Sequence, residues 1–191
     1  MYKLFIFLIL VVFNGCANAI TNEVIQLDSQ SITTKSTDIV VSETADIPLD
    51  IWERIRRELT ITIPDDKIAS TSVYRERLYK NQSSVNRISK SGQRYLHHTV
   101  TRAQELGLPI ELALLPFVES EFDPYAKSVD GATGIWQFMP ATGREWGLKS
   151  NWWYDGKKDV LASTEAALQF LTYLNKRFDG DWLLAMAAYN T

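Results

Sequence analysis

A chain of 191 residues with 46% hydrophobic and 23% charged side chains has the make-up of a globular protein, long enough for one domain with a core and some peripheral sequence. Its formal net charge of -3 excludes the dominant basic face that a nucleic-acid binder presents. The local basic cluster in "ERIRRE" alternates with acids and reads as a solvated helix face.

Residues 1–19 read as an export signal. Lys3 precedes an unbroken apolar run, Leu4 to Phe13, too short to span a bilayer but suited to the core of a secretory signal. The only cysteine, Cys16, follows in "FNGC", and a lone cysteine makes no intramolecular disulfide. "NGCA" resembles the processing site of bacterial lipoproteins, which implies that Cys16 is lipidated, becomes the mature N-terminus and anchors the chain to a membrane. Phe13 and Asn14 depart from the usual leucine and small residue there. The same stretch offers "ANA", Ala17 to Ala19, an ordinary cleavage site that would discard Cys16 and release a soluble periplasmic protein. Lipidation is the preferred reading; Ala17 after the cysteine resembles an address on the periplasmic side of the outer membrane.

Residues 20–47, rich in Ser, Thr and Asp and without a sustained period, read as a flexible tether, in which "DIVVS" can form a short strand on a partner. Helical periods take over in residues 48–95. "LDIWERIRREL" spaces Ile51, Ile55 and Leu59 by four, with Asp50 as the cap, and "TITIPDD" breaks it. The spacing predicts a second helix from Ser83 to Leu106, with Tyr95, Leu96, Val100, Ala103 and Leu106 on one side and Gly107 and Pro109 as the stop. It crosses the boundary at 96, where a second region, 96–191, is expected to begin. A short helix is expected near Pro140. A longer one capped by Asp159 carries Ala167, Leu171, Leu174 and Phe178, and a last one is capped by Asp181. No strand-like alternation rivals these segments, so the class is all-α, with loops that suit a cleft. The aromatic turn "NWWYDG" reads either as a surface loop anchored by its tryptophans or as a sugar-stacking platform. His97 and His98 are expected on the solvent side, and no metal or organic cofactor is indicated.

"ELALLPFVESEFDP" delivers Glu119 off the end of an apolar run. Pro116 removes a backbone donor inside that run, which predicts a kink or an early helix end. A carboxyl flanked by Phe117, Val118 and Phe122 resists ionisation, and a raised pKa makes a general acid near neutral pH. A surface glutamate after an apolar turn is the plain alternative. Glu121 and Asp123 read as surface charge or caps.

Glu119 is not alone. "LLPFVES", "FDP", "GIWQFMP", "TGREWGL", "YDGKKDV" and "FDGDWLLAMAAYN" follow in order. Over roughly Leu49 to Thr191 these motifs resemble the lysozyme-like (goose-type, SLT) lytic transglycosylases of bacterial cell-wall metabolism, in their membrane-bound D branch. The resemblance implies a helical domain with a cleft that cleaves peptidoglycan between N-acetylmuramic acid and N-acetylglucosamine and leaves a 1,6-anhydro end. It implies Glu119 as the single catalytic acid and base. Ser128, Gln137, Met139, Tyr189 and Asn190 match the family's cleft-lining positions, with Gly131 and Gly134 permitting the loop between them. Ser128 would orient the carboxyl, and Gln137 would bind amide or hydroxyl groups of the glycan. Met139 would lie under the sugar or in the core, and Tyr189 and Asn190 would close the site.

Related sequences continue past "AAYN", which leads to the expectation of a C-terminally truncated chain whose cleft lacks one wall. On that expectation a non-catalytic peptidoglycan-binding fragment is one alternative to the lyase. A lysozyme-type hydrolase is the other.

Overall fold

The computed structural model describes residues 50–62, 76, 80 and 82–190. The export signal, Cys16 and the tether lie outside the described residues. Among the described residues the regular structure is six α-helices and one 3-10 helix, with isolated β-bridges in place of strands, so the all-α class holds.

Helix α1, Ile51–Arg57, buries Ile55 completely. Asp50 occupies its N-cap position but makes no side-chain cap bond, contrary to the expectation; its carboxylate is exposed and its carbonyl accepts from Arg54 N at 3.0 Å. Leu59 falls beyond the helix end. There the chain is strapped by Glu111: one buried carboxylate oxygen, Oε1, accepts from the backbone N–H of Thr60 and of Ile61, both at 2.6 Å.

Helix α2, Gln82–Glu105, is the long strut of the domain and runs unbroken through residues 95 and 96. The predicted stripe is its buried side, with Leu96, Val100 and Ala103 at 0% exposure. Leu106, placed on the same stripe by its spacing, is 40% exposed. The reason is the helix end: Leu108 N bonds Ala103 O and Gly107 N bonds Gln104 O, a Schellman closure that needs the left-handed Gly107 (φ 66°) and turns the C-cap side chain outward. His97 is exposed, but His98 is half-buried with its Nε2 sequestered and unbonded, because neighbouring positions on a helix point about 100° apart.

Five buried residues form the 3-10 helix Ile110–Leu114, which passes directly into α3, Leu115–Glu119. This pair packs across α2. Helix α4, Pro140–Glu145, is short. Helix α5, Val160–Arg177, is capped as expected: the Asp159 carboxylate accepts from Leu161 N and Ala162 N at 3.0 Å. Helix α6, Trp182–Tyr189, is capped by Asp181 accepting from Leu184 N at 3.0 Å. Helix α5 packs on both α6 and α2, and Arg102 of α2 grips the Glu165 carboxylate of α5 through two nitrogens. One core joins all these pieces, with Leu112, Leu114, Trp136, Leu168 and Met186 at its centre.

Gly92 explains how α3 comes so close to α2. A Cβ there would stand 2.7 Å from the Phe117 ring, which is itself wedged between Trp52 (centroids 5.8 Å) and Phe122 (4.6 Å). A glycine inside a helix ordinarily costs about 1 kcal/mol relative to alanine, so Gly92→Ala would stabilise an isolated α2. In the folded protein the overpacking outweighs that gain, and we expect Gly92→Ala to lower stability by about 1–2 kcal/mol. Chemical denaturation of the variant checks this; an increase in stability would show that the Phe117 ring yields.

Candidate active site

The apolar run works by steps. Residues 111–117 are all buried. Pro116 sits in the first turn of α3, where its missing N–H is not needed, and the predicted break is the change from 3-10 to α geometry just before it. The Pro116 carbonyl accepts from both Ser120 N and Phe122 N at 3.1 Å, which ends the helix at Glu119. The exit is strained: Glu121 (φ 53°) and Phe122 (φ 60°) are consecutive non-glycine residues in the left-handed region. Burial of Phe122 edge-on against Phe117, the Ser91 hydroxyl on the Glu121 carbonyl, and Arg87 on the Glu121 carboxylate at 3.2 Å hold it there.

Glu119 is left with its Oε1 buried and without a hydrogen-bond partner. Desolvation pushes its pKa from the ordinary 4.5 to about 7. Tyr189 stands close enough to feel this carboxylate. Burial first, and then the Glu119 charge, push its phenol well above the ordinary 10, so it remains a hydrogen-bond donor. The Tyr189 hydroxyl donates to the Trp136 carbonyl at 2.9 Å, and its ring packs on Phe138 and Phe170.

Opposite lies the turn of residues 133–138, closed by reciprocal bonds between Thr133 and Phe138 at 3.0 and 3.1 Å. Gly134 (φ 84°) is required twice over, since a Cβ would fall 1.8 Å from the Lys157 carbonyl oxygen. Trp136 is fully buried, and its indole N–H donates to Thr164 Oγ1 at 3.0 Å. Gln137 is left-handed (φ 48°), and its amide nitrogen donates to the carbonyls of Gly134 (2.8 Å) and Ala126 (3.3 Å). The nitrogen is thus committed to the loop, and the Oε1 is the end of this amide that faces no such tie.

The other predicted positions are placed less centrally. Ser128 accepts from Ala132 N at 3.0 Å within its own loop rather than bonding Glu119. Met139 is 41% exposed at the start of α4, which removes the core alternative. Asn190 caps its own helix, donating to Met186 O at 3.1 Å. Of the two neighbouring carboxylates, Glu121 is turned to Arg87, and Asp123 is exposed and accepts from Tyr125 N at 2.8 Å. In the aromatic turn, Trp152 (94%) and Trp153 (69%) are exposed, so the anchoring reading is overturned. Asn151 accepts from the backbone N–H of Trp153 and Tyr154, and Lys157 pairs with Asp155 at 2.7 Å, which builds the loop without burying either indole. Two residues that the sequence reading did not single out belong to the site. Ser120 donates to the Ile135 carbonyl at 2.9 Å, and Trp136 pins the turn; their signal was their membership of the "ES" and "GIWQ" motifs.

An all-α domain that presents one desolvated glutamate beside a buried tyrosine and a glycine-bearing turn is of the lysozyme-like class. Over residues 101–191 the chain matches the transglycosylase SLT domain. Membrane-bound lytic murein transglycosylase D of Escherichia coli (strain K12) is 43% identical over 143 residues, 74% of this chain and 31% of its own length. A protein of Alteromonas sp. (strain M-1) named for tributyltin chloride resistance is 48% identical over 102 residues, 53% of this chain and 49% of its own. Peptidoglycan transglycosylase gp16 of Escherichia phage T7 is 40% identical over 83 residues, 41% of this chain and 6% of its own. The chain therefore spans about a third of the first of these relatives.

The raised pKa has a consequence for stability. Between pH 4.5 and about 7 the unfolded chain loses the Glu119 proton before the folded one does, so stability falls as pH rises and levels off above that window. The full shift corresponds to about 3 kcal/mol. Glu119→Gln removes this titration. We expect it to match the wild type near pH 4 and to exceed it by up to about 3 kcal/mol at about pH 8. Urea denaturation at both pH values measures the difference, and an equal difference at the two would mean that Glu119 titrates like an exposed carboxyl.

Proposed function

We propose that this chain is a peptidoglycan lytic transglycosylase, a carbon–oxygen lyase, with Glu119 as its single acid and base. The observation that carries the reading is the Glu119 carboxyl, half-protonated near neutral pH by burial alone, inside a domain of the SLT family. The protonated carboxyl gives its proton to the glycosidic oxygen between N-acetylmuramic acid and N-acetylglucosamine as the bond from that oxygen to the anomeric carbon breaks. The muramyl 6-hydroxyl then attacks the anomeric carbon and passes its proton to the Glu119 carboxylate. A 1,6-anhydro ring forms, the carboxyl is restored, and no water is consumed.

A hydrolase of the usual kind needs a second carboxylate across the glycosidic bond. Glu121 and Asp123 are occupied with Arg87 and the Tyr125 backbone, which favours the lyase over the lysozyme-type alternative. Intramolecular attack gains from proximity, which supplies several kcal/mol when the nucleophile is held in place. Gln137, with its amide nitrogen tied to the loop, would offer its Oε1 to the glycan, accepting from an acetamido N–H or a hydroxyl. Ser128 and Met139 would line the same cleft, with Tyr189 and Asn190 closing it. The exposed Trp152 and Trp153 fit the sugar-stacking reading of their loop, because large apolar faces held in water mark a contact surface.

Digestion of purified sacculi followed by mass spectrometry of the soluble products tests the reaction. We expect 1,6-anhydro-muropeptides, with Glu119→Gln slowing their release by on the order of 10³-fold. Free reducing ends would establish the hydrolase. Binding without release by a folded chain would establish a glycan-binding protein.

We further infer that the enzyme works in the cell envelope, tethered through a lipid on Cys16 and a linker at residues 20–47. Cys16→Ala is expected to move the protein from the membrane fraction to the soluble periplasm. A wild type already found in the soluble fraction would favour cleavage after Ala19 instead.

A further inference from the structure

We propose that Ser120 is a positioning residue for Glu119, acting through the backbone of residues 134–136. The inference rests on the reading of Glu119 as the acid. Three consecutive carbonyls of this turn each receive a side-chain donor from a different part of the site. Gly134 O takes the Gln137 amide nitrogen at 2.8 Å, Ile135 O takes the Ser120 hydroxyl at 2.9 Å, and Trp136 O takes the Tyr189 hydroxyl at 2.9 Å. The end of α3, the turn itself and the end of α6 are thereby referred to a single strip of backbone.

That strip is well able to serve as a reference. It is closed by the Thr133–Phe138 pair, pinned below by the Trp136 indole on Thr164, and pressed at Gly134 against the Lys157 backbone. Glu119, by contrast, has no hydrogen bond at Oε1 to orient it. Its direction must come from the helix that carries it, and α3 has only five residues before it runs into two left-handed ones. A strained exit favours relaxation of the helix end. The Ser120 hydroxyl opposes this one residue from the acid, because a side chain of a single carbon fixes its own Cα closely to whatever it bonds. Ile135 is 1% exposed, so no water stands ready to replace the hydroxyl on its carbonyl.

A merely structural bond would affect stability alone. A positioning bond predicts two further changes. Catalysis should fall in kcat with KM nearly constant, because the misplaced group acts only in the transition state. The environment of the Glu119 carboxyl should also loosen toward water.

The test uses Ser120→Ala, Ser120→Cys and Ser120→Thr in the full chain. Cysteine keeps the unbranched shape of serine with a larger sulfur atom but is a poor donor, and threonine keeps the hydroxyl. Two readouts are made on each: kcat and KM for release of soluble products from glycan strands, and the titration of the Glu119 side-chain carboxyl by ¹³C NMR, assigned with Glu119→Gln. We expect Ala and Cys to lower kcat by about 10- to 100-fold with KM within about twofold, and to move the Glu119 midpoint from near 7 toward the ordinary carboxyl range. Threonine should restore both. An unchanged Glu119 titration in a folded Ala or Cys variant would overturn the inference, and so would loss of folding in both. The titration needs no substrate, so it decides the role of Ser120 even if the wild type proves unable to cut glycan. That failure would fall on the proposed reaction instead.

Discussion

A carboxyl group held out of water with one oxygen unbonded is an unfavourable object, and the domain is organised around keeping one at Glu119. The group cannot simply drift back to solvent, because the helix beneath it is built from a fully buried stretch. That helix is packed on α2 through Phe117 and Phe122, which come so close only because Gly92 has no side chain. Strain in the backbone after Glu119 is the other side of the same arrangement: the chain must turn sharply to keep the acid at a helix end instead of letting it swing outward. Stability is given up locally, and the surrounding core supplies it.

The turn at residues 133–138 is the counterpart of that acid. Its own conformation depends on an indole sunk completely into the core and on a glycine seated against a neighbouring carbonyl. Three of its carbonyls in a row accept from side chains, one from Gln137 within the turn and two from Ser120 and Tyr189 on other elements. Hydrophobic packing therefore sets where the turn lies, and hydrogen bonding then transfers that placement to Ser120, next to Glu119 in the chain, and to Tyr189. The two kinds of interaction do different jobs here, and neither would suffice alone.

Much of this was legible in the sequence. Periodicity located α2 and α5 because their buried stripes are continuous, and Asp159 and Asp181 announced their helices because capping is a local interaction. The raised pKa of Glu119 was legible as a direction, since a carboxyl carried at the end of a buried apolar run is shielded from water. What stayed hidden depends on partners far away in sequence. Gly92 reads as a weak spot in a helix until Phe117 is placed against it. Asp50 has the chemistry of a cap, but its carboxylate stays in water. Leu106 keeps the spacing of the stripe, yet the closure at Gly107 turns it away. Trp152 and Trp153 are apolar enough to predict burial, but a turn tied by Asn151 and Asp155 needs no anchor from them. The identity of Gln137 was visible in its motif, whereas the commitment of its nitrogen to two carbonyls was not.

The strap at Glu111 bears on where this domain begins. The family match starts at residue 101, yet one oxygen of the buried Glu111 carboxylate accepts from the backbone N–H groups of Thr60 and Ile61, while the other is buried without a partner, and Trp52 stacks on Phe117. Inherited unit and physical unit thus differ by a segment some forty to fifty residues upstream. Recombination that cut at the edge of the conserved name would strand an ionisable group in the core and strip the roof from an aromatic stack. Ile51–Arg57 and the two residues strapped to Glu111 therefore belong physically to the same body as the matched region.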